Sequence, residues 1–225
     1  MNDRTTSLRA RGATTVIDSA SHRVLRNTYL LLSLCLGFAA VSAGVTASLG
    51  LPYPGLLLTM LGYFGLLYLV TANRNSGRGV AFLFALTGFM GYTLGPIISM
   101  YLRMPNGTQV VMSALGGTAA IFLSLSAVAL FSKRDFSFMG SFLTVGILVA
   151  FLAGLAAIFL QMPALSLAVS ALFVLLMSGM ILFETNNIVR GGETNYVMAT
   201  LSLFISLFNL FTSLLHLLGF ASSRE

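Results

Sequence analysis

Charge is what this chain has least of. Charged residues fill 8% of its 225 positions, against 57% hydrophobic ones. No soluble domain of this length could cover its surface with so few charges, so the composition points to a polytopic membrane protein. Carboxylates are scarcer than cations, 6 against 12, and only Glu184 lies within a long apolar run. Tryptophan is absent, and the single cysteine, Cys35, lies inside the first apolar run. A lone thiol there cannot form an internal disulfide and reads as packing. Paired Cys/His ligands, a phosphate-cradling loop and a nucleotide fingerprint are all missing. Ser178-Gly179 has no GxSG-type nucleophile motif around it. Neither a cofactor nor a metal is expected, and nothing argues for an enzyme.

What is present is length of apolar chain. Seven stretches, about 28–49, 54–72, 80–102, 109–131, 138–160, 164–187 and 196–219, are each near the ~20 residues that a helix needs to cross a hydrocarbon core. The expected fold is all-α, a seven-transmembrane-helix bundle in one domain over 28–225. Residues 1–27 form a polar tail rich in Ser, Thr and Arg, expected to be flexible, with His22 as a solvated surface residue. Val41-Ser42-Ala43 resembles a small-residue cleavage site, but the segment before the first span is long for a signal n-region.

The formal charge of +6 is read by its placement rather than as nucleic-acid binding. Arg4, Arg9, Arg11, Arg23, Arg26, Arg74, Arg78, Lys133, Arg134 and Arg190 fall on one side of a seven-span chain. Only Arg103 and Arg224 fall on the other. The positive-inside rule then expects a cytoplasmic N-terminus and a periplasmic C-terminus. The arginines of the tail suit either anionic lipid head groups or a cytoplasmic partner.

Small and polar residues recur at helical spacing. Helix three carries Gly88, Gly91 and Gly95, then Pro96, in TGFMGYTLGPI. Small residues let backbones approach closely where no hydrophobic effect drives helices together, and Pro96 is expected to kink or locally unwind that helix. Gly116-Gly117, Ala120 and Ser124 suggest a similar face on helix four. On helix seven, Ser202, Ser206, Asn209, Ser213 and His216 are spaced 4, 3, 4 and 3, one polar stripe that should point into the bundle. Ser170, Met177 and Glu184 mark an inward face of helix six. A short turn with Gly191-Gly192 makes six and seven antiparallel neighbours, so Glu184 is expected near Ser202 or Ser206. An intramembrane carboxylate needs an explanation. It is read as an anchor accepting hydrogen bonds or pairing with Arg190, as a protonatable latch, or as a cation ligand. With no second buried carboxylate, a divalent ion would lack its usual anionic ligands. His216 reads as an interhelical hydrogen-bonding group or a pH-responsive one.

Taken in order, HRVLRNTYLLLSL, LPYPGLLLTM, TGFMGYTLGPI, ALGGTAAIF, KRDFSFMGSFL and ILFETNNIVRGGETNYVMATLSLFISLFNLF resemble the Bax inhibitor family in its bacterial YccA-type branch. The resemblance runs almost end to end. It implies a protein of the bacterial inner membrane that binds the membrane-anchored, ATP-dependent protease FtsH, inhibits it, and is itself a slow substrate through its N-terminal tail. Other members of the family imply an alternative, a pH-sensitive calcium or proton leak with acidic residues on helices six and seven. Glu184 matches the helix-six position. Ser206 stands where the helix-seven acid would be, and 54–72 lacks the arginine of those members, so a two-carboxylate latch is not expected here.

Overall fold

A computed structural model describes residues 21–132 and 134–223, and helix α1 upstream to Asp3. The side chains of Arg4, Arg9 and Arg11, and all of Lys133 and Arg224, lie outside the described residues. Among the described residues seven helices follow one another: α1 (Asp3–Ser48), α2 (Leu56–Ala72), α3 (Gly77–Leu102), α4 (Gly107–Phe131), α5 (Met139–Phe159), α6 (Pro163–Val189) and α7 (Tyr196–Ser222). No strand occurs among the described residues. Six of the helices have a span of membrane-crossing length and apolarity, which in α1 is Ser21–Ser48. The exception, α2, has 17 residues, the short end of what can cross a bilayer core.

The bundle is organised around α7, which packs against α6, α4, α1 and α3; α2 lies outside α3, and α5 outside α6. Leu203, Phe204, Leu210 and Leu215 on α7 are almost wholly buried, together with Ser206 and Ser213. Of the polar stripe, Ser206 and Ser213 are buried while Ser202, Asn209 and His216 are half-buried, and apolar residues on the other faces of α7 are covered too. On α2 and α5, by contrast, Leu57, Phe64, Tyr68, Phe142, Val145 and Phe159 are exposed, as lipid-facing positions should be. A Phe64–Phe151 edge contact, with centroids 6.3 Å apart, joins these two peripheral helices.

The α1–α3 contact rests on the glycines of α3. A Cβ on Gly91 would run into the Ala39 carbonyl, one on Gly95 into Thr46, and one on Gly88 into the Phe38 ring. The close approach lets Ser42 Oγ donate to the Gly88 carbonyl at 2.8 Å. Helix α3 continues through Pro96 without a break, so the local unwinding allowed for there does not occur. On α4 the small-residue face is not a contact of the same kind. A Cβ on Gly117 would meet Leu214 at an ordinary 3.5 Å, and one on Gly116 would meet nothing within 4 Å.

Candidate functional site on the α6–α7 seam

Helix α6 opens on Pro163, whose missing N–H costs nothing at a first helical position. It ends in a turn where Gly191 takes φ 74°. Glycine enters that left-handed conformation without a Cβ penalty, which reverses the chain tightly. Helix α7 then starts from Asn195, whose Oδ1 accepts from the Val197 and Met198 amides at 2.9 and 3.2 Å.

Two side-chain contacts cross the seam thus formed. Near the turn, the Ser202 side chain lies beside the Glu184 carboxyl. Toward the far end, Ser170 Oγ and His216 Nδ1 lie 2.8 Å apart. Ser170 and Glu184 are 14 positions apart on α6, and Ser202 and His216 are 14 apart on α7. The two pairs therefore share one antiparallel register, about 21 Å apart at 1.5 Å per residue. That register sets Met177 opposite Asn209 midway.

Of the two partners expected for Glu184, the structure brings Ser202. Ser206 is 2% exposed and donates instead to the Ser202 carbonyl at 2.9 Å. Asn209 donates to the Ile205 carbonyl at 2.9 Å. Both bonds run along α7 rather than across the seam. Glu184 itself is 8% exposed. Arg190 lies 4.0 Å from Asp135, on the loop before α5.

Two asparagines that the sequence reading passed over tie this end of the bundle together. Asn186, 2% exposed, receives the Phe136 amide and donates to the Arg134 carbonyl, both at 3.2 Å. Asn195 donates to the Arg74 carbonyl at 3.0 Å and to Asn75 Oδ1 at 2.9 Å. The α4–α5 loop is thus tied to the C-terminal turn of α6, two residues past Glu184, and the α2–α3 loop to the α6–α7 loop. The available signal was the run ETNNIVRGGETN, where buried amides must find partners within reach.

Fold and seam together define an integral membrane protein, a seven-helix bundle with a buried carboxylate on one polar inter-helix seam. Among the described residues no group of three or more His, Cys, Asp or Glu could hold a metal ion. The chain belongs to the Bax inhibitor family: the family model described as inhibitor of apoptosis-promoting Bax1 matches residues 21–223. The modulator of FtsH protease YccA from Escherichia coli K12 is 53% identical over 90% of this chain and 92% of its own length. An inner membrane protein YccA from Escherichia coli O6:H1 has the same identity and coverage. An uncharacterized protein of Pseudomonas aeruginosa is 50% identical over 90% of this chain and 91% of its own. The chain is accordingly a multi-pass protein of the bacterial inner membrane.

Proposed function

We propose that this chain is a non-enzymatic regulator that binds the membrane-anchored protease FtsH and inhibits it. The observation that carries this reading is the 53% identity, over nearly the whole of both chains, to a protein named for modulating that protease. The N-terminus is assigned to the cytoplasm, the side holding Arg23, Arg26, Arg74, Arg78, Arg134 and Arg190. Residues 1–27 then serve as the handle that the protease engages.

The proposed mechanism is competition. A membrane protease pulling on the N-terminal segment must draw α1 out of the bilayer. In this bundle α1 is held to α3 by glycine contacts at backbone distance and to α7 by the Thr200 hydroxyl, 3.3 Å from the Thr28 carbonyl. Extraction has to break that packing as a unit, so the chain occupies the protease while being degraded slowly. The test is co-purification with FtsH followed by a degradation assay on another membrane substrate. Inhibition by the intact chain, with deletion of residues 1–27 abolishing its own turnover, supports the reading. A stable complex that leaves degradation unchanged would make it an assembly factor instead, and rapid degradation of the truncated chain would remove the handle.

A second reading is a proton-linked cation leak at Glu184. It is favoured by one observation, a carboxyl buried across the α6–α7 seam from Ser202. Its weakness is that Ser206 offers no second carboxylate. Calcium flux into proteoliposomes across pH decides it: flux that Glu184→Gln removes supports the leak, and flux indifferent to that change excludes it.

A further inference from the structure

Helices α1 and α4 both pack on α7, and together with it and α3 they line a groove of about 930 Å³. Its walls are small or apolar, with Ala40 and Gly44 on α1 and Leu115 and Ala119 on α4, and its floor includes Phe208 of α7. Leu115 is 48% exposed, so the groove opens sideways, toward the bilayer. On α1 its lining ends at Leu36; deeper, the Tyr29 and Phe122 rings meet with centroids 5.8 Å apart and separate it from a second recess beside Leu25 and Leu130. At its other end lies Arg103, at the C-terminus of α3.

We propose that this groove holds one phospholipid of the leaflet on the Arg103 side, with an acyl chain between α1 and α4 and the phosphate on the Arg103 guanidinium. Depth is the first argument. Along α1 the groove runs from Leu36 to Ser48, about 18 Å at 1.5 Å per residue. That is one leaflet, half of a hydrocarbon core of roughly 30 Å plus its interface. A transmembrane helix of a partner or of a second copy would need an unbroken track across the whole core, and the Tyr29–Phe122 contact interrupts this one. Charge is the second argument. The face that carries Arg103 is the cation-poor one, and the carboxylates described (Asp135, Glu184 and Glu193) all lie at the other end of the bundle. The cation retained there stands at the mouth of the groove, exposed, with donors suited to a phosphate.

The absence of tryptophan makes the test direct, because one introduced indole reports alone. Leu115→Trp places it in the groove; Ala119→Trp is a second groove reporter. Leu152→Trp, on the exposed face of α5, is the control for ordinary surrounding lipid. Each full-length variant is reconstituted in unlabelled bilayers and titrated with phosphatidylglycerol or phosphatidylethanolamine brominated at mid-chain. The expected result is that brominated phosphatidylglycerol quenches the groove reporters at lower mole fraction than it quenches Leu152→Trp. Arg103→Gln should reduce that preference about fivefold, the factor one cation is worth at a membrane surface. Groove reporters that behave like Leu152→Trp would overturn the proposal, since the groove then sees only bulk lipid. Quenching that ignores Arg103→Gln would overturn the phosphate contact. Protection from both lipids would mean that a second copy or another protein covers the groove.

Discussion

Gly95 and Gly116 sit on neighbouring helices and look alike in sequence, yet they have opposite duties. A Cβ on Gly95 would strike Thr46 of α1, whereas one on Gly116 would enter open space. Gly95→Ala should therefore cost about 1–3 kcal/mol by pushing α1 and α3 apart, read as a lower melting temperature in detergent. Gly116→Ala should be neutral or stabilising by about 0.5–1 kcal/mol, because alanine is the better helix former. Asp135 supports a prediction of another kind. Hydrogen bonds from the Ser137 hydroxyl at 2.6 Å and the Ser137 amide at 2.8 Å, helped by Arg190, hold its carboxyl below the ordinary 3.8. A depressed carboxyl stabilises the folded state above its ordinary value, and the contribution is lost as pH falls through the folded one. Asp135→Asn should thus flatten the pH dependence of melting below about pH 4 and leave it unchanged at neutral pH.

At the scale of elements, the seam between α6 and α7 and the loops around its turn form one mechanical unit. Asn186 is the element-to-element link that a single substitution can break. Asn186→Ala removes both of its bonds to the 134–136 backbone and should cost about 1–3 kcal/mol, the usual effect of orphaning buried polar groups. The sharper readout is local. Tryptic cleavage after Lys133 or Arg134 in the detergent-solubilised protein should become faster, while cleavage after Arg103 stays the same. Equal acceleration at both would mean that the whole bundle had loosened. The seam was legible in sequence as far as its helices: the 4, 3, 4, 3 spacing gave the α7 face, and Glu184 with Ser170 gave that of α6. Which of the striped hydroxyls faced Glu184 was not, because Ser202 and Ser206 differ by one turn, and only the register of packed helices separates them.

For the whole molecule, the distribution of cations makes a topological prediction. A cysteine placed at Asn106, in a chain with Cys35 replaced by serine, should react with an impermeant maleimide in intact cells. One placed at Asn75 should react only after the membrane is opened. The opposite pattern would invert the bundle, and with it the assignment of residues 1–27 to the side where the protease works. The same scale explains why α7 was only half understood from its sequence. A helix with a polar stripe and apolar flanks reads the same whether those flanks meet lipid or other helices, since both environments are apolar.

Sequence by itself determined the seven helices, their membrane character, the short connections between them and the family, because length, apolarity and charge placement act locally or along one helix at a time. Only the tertiary structure decided which helix lies at the centre, which glycines are contacts and which are spacers, that Glu184 meets Ser202, and that asparagines 186 and 195 lock the loops. Those choices depend on pairs of surfaces distant in the chain, where a shift of one helical turn changes every partner while leaving each helix equally suited to the bilayer.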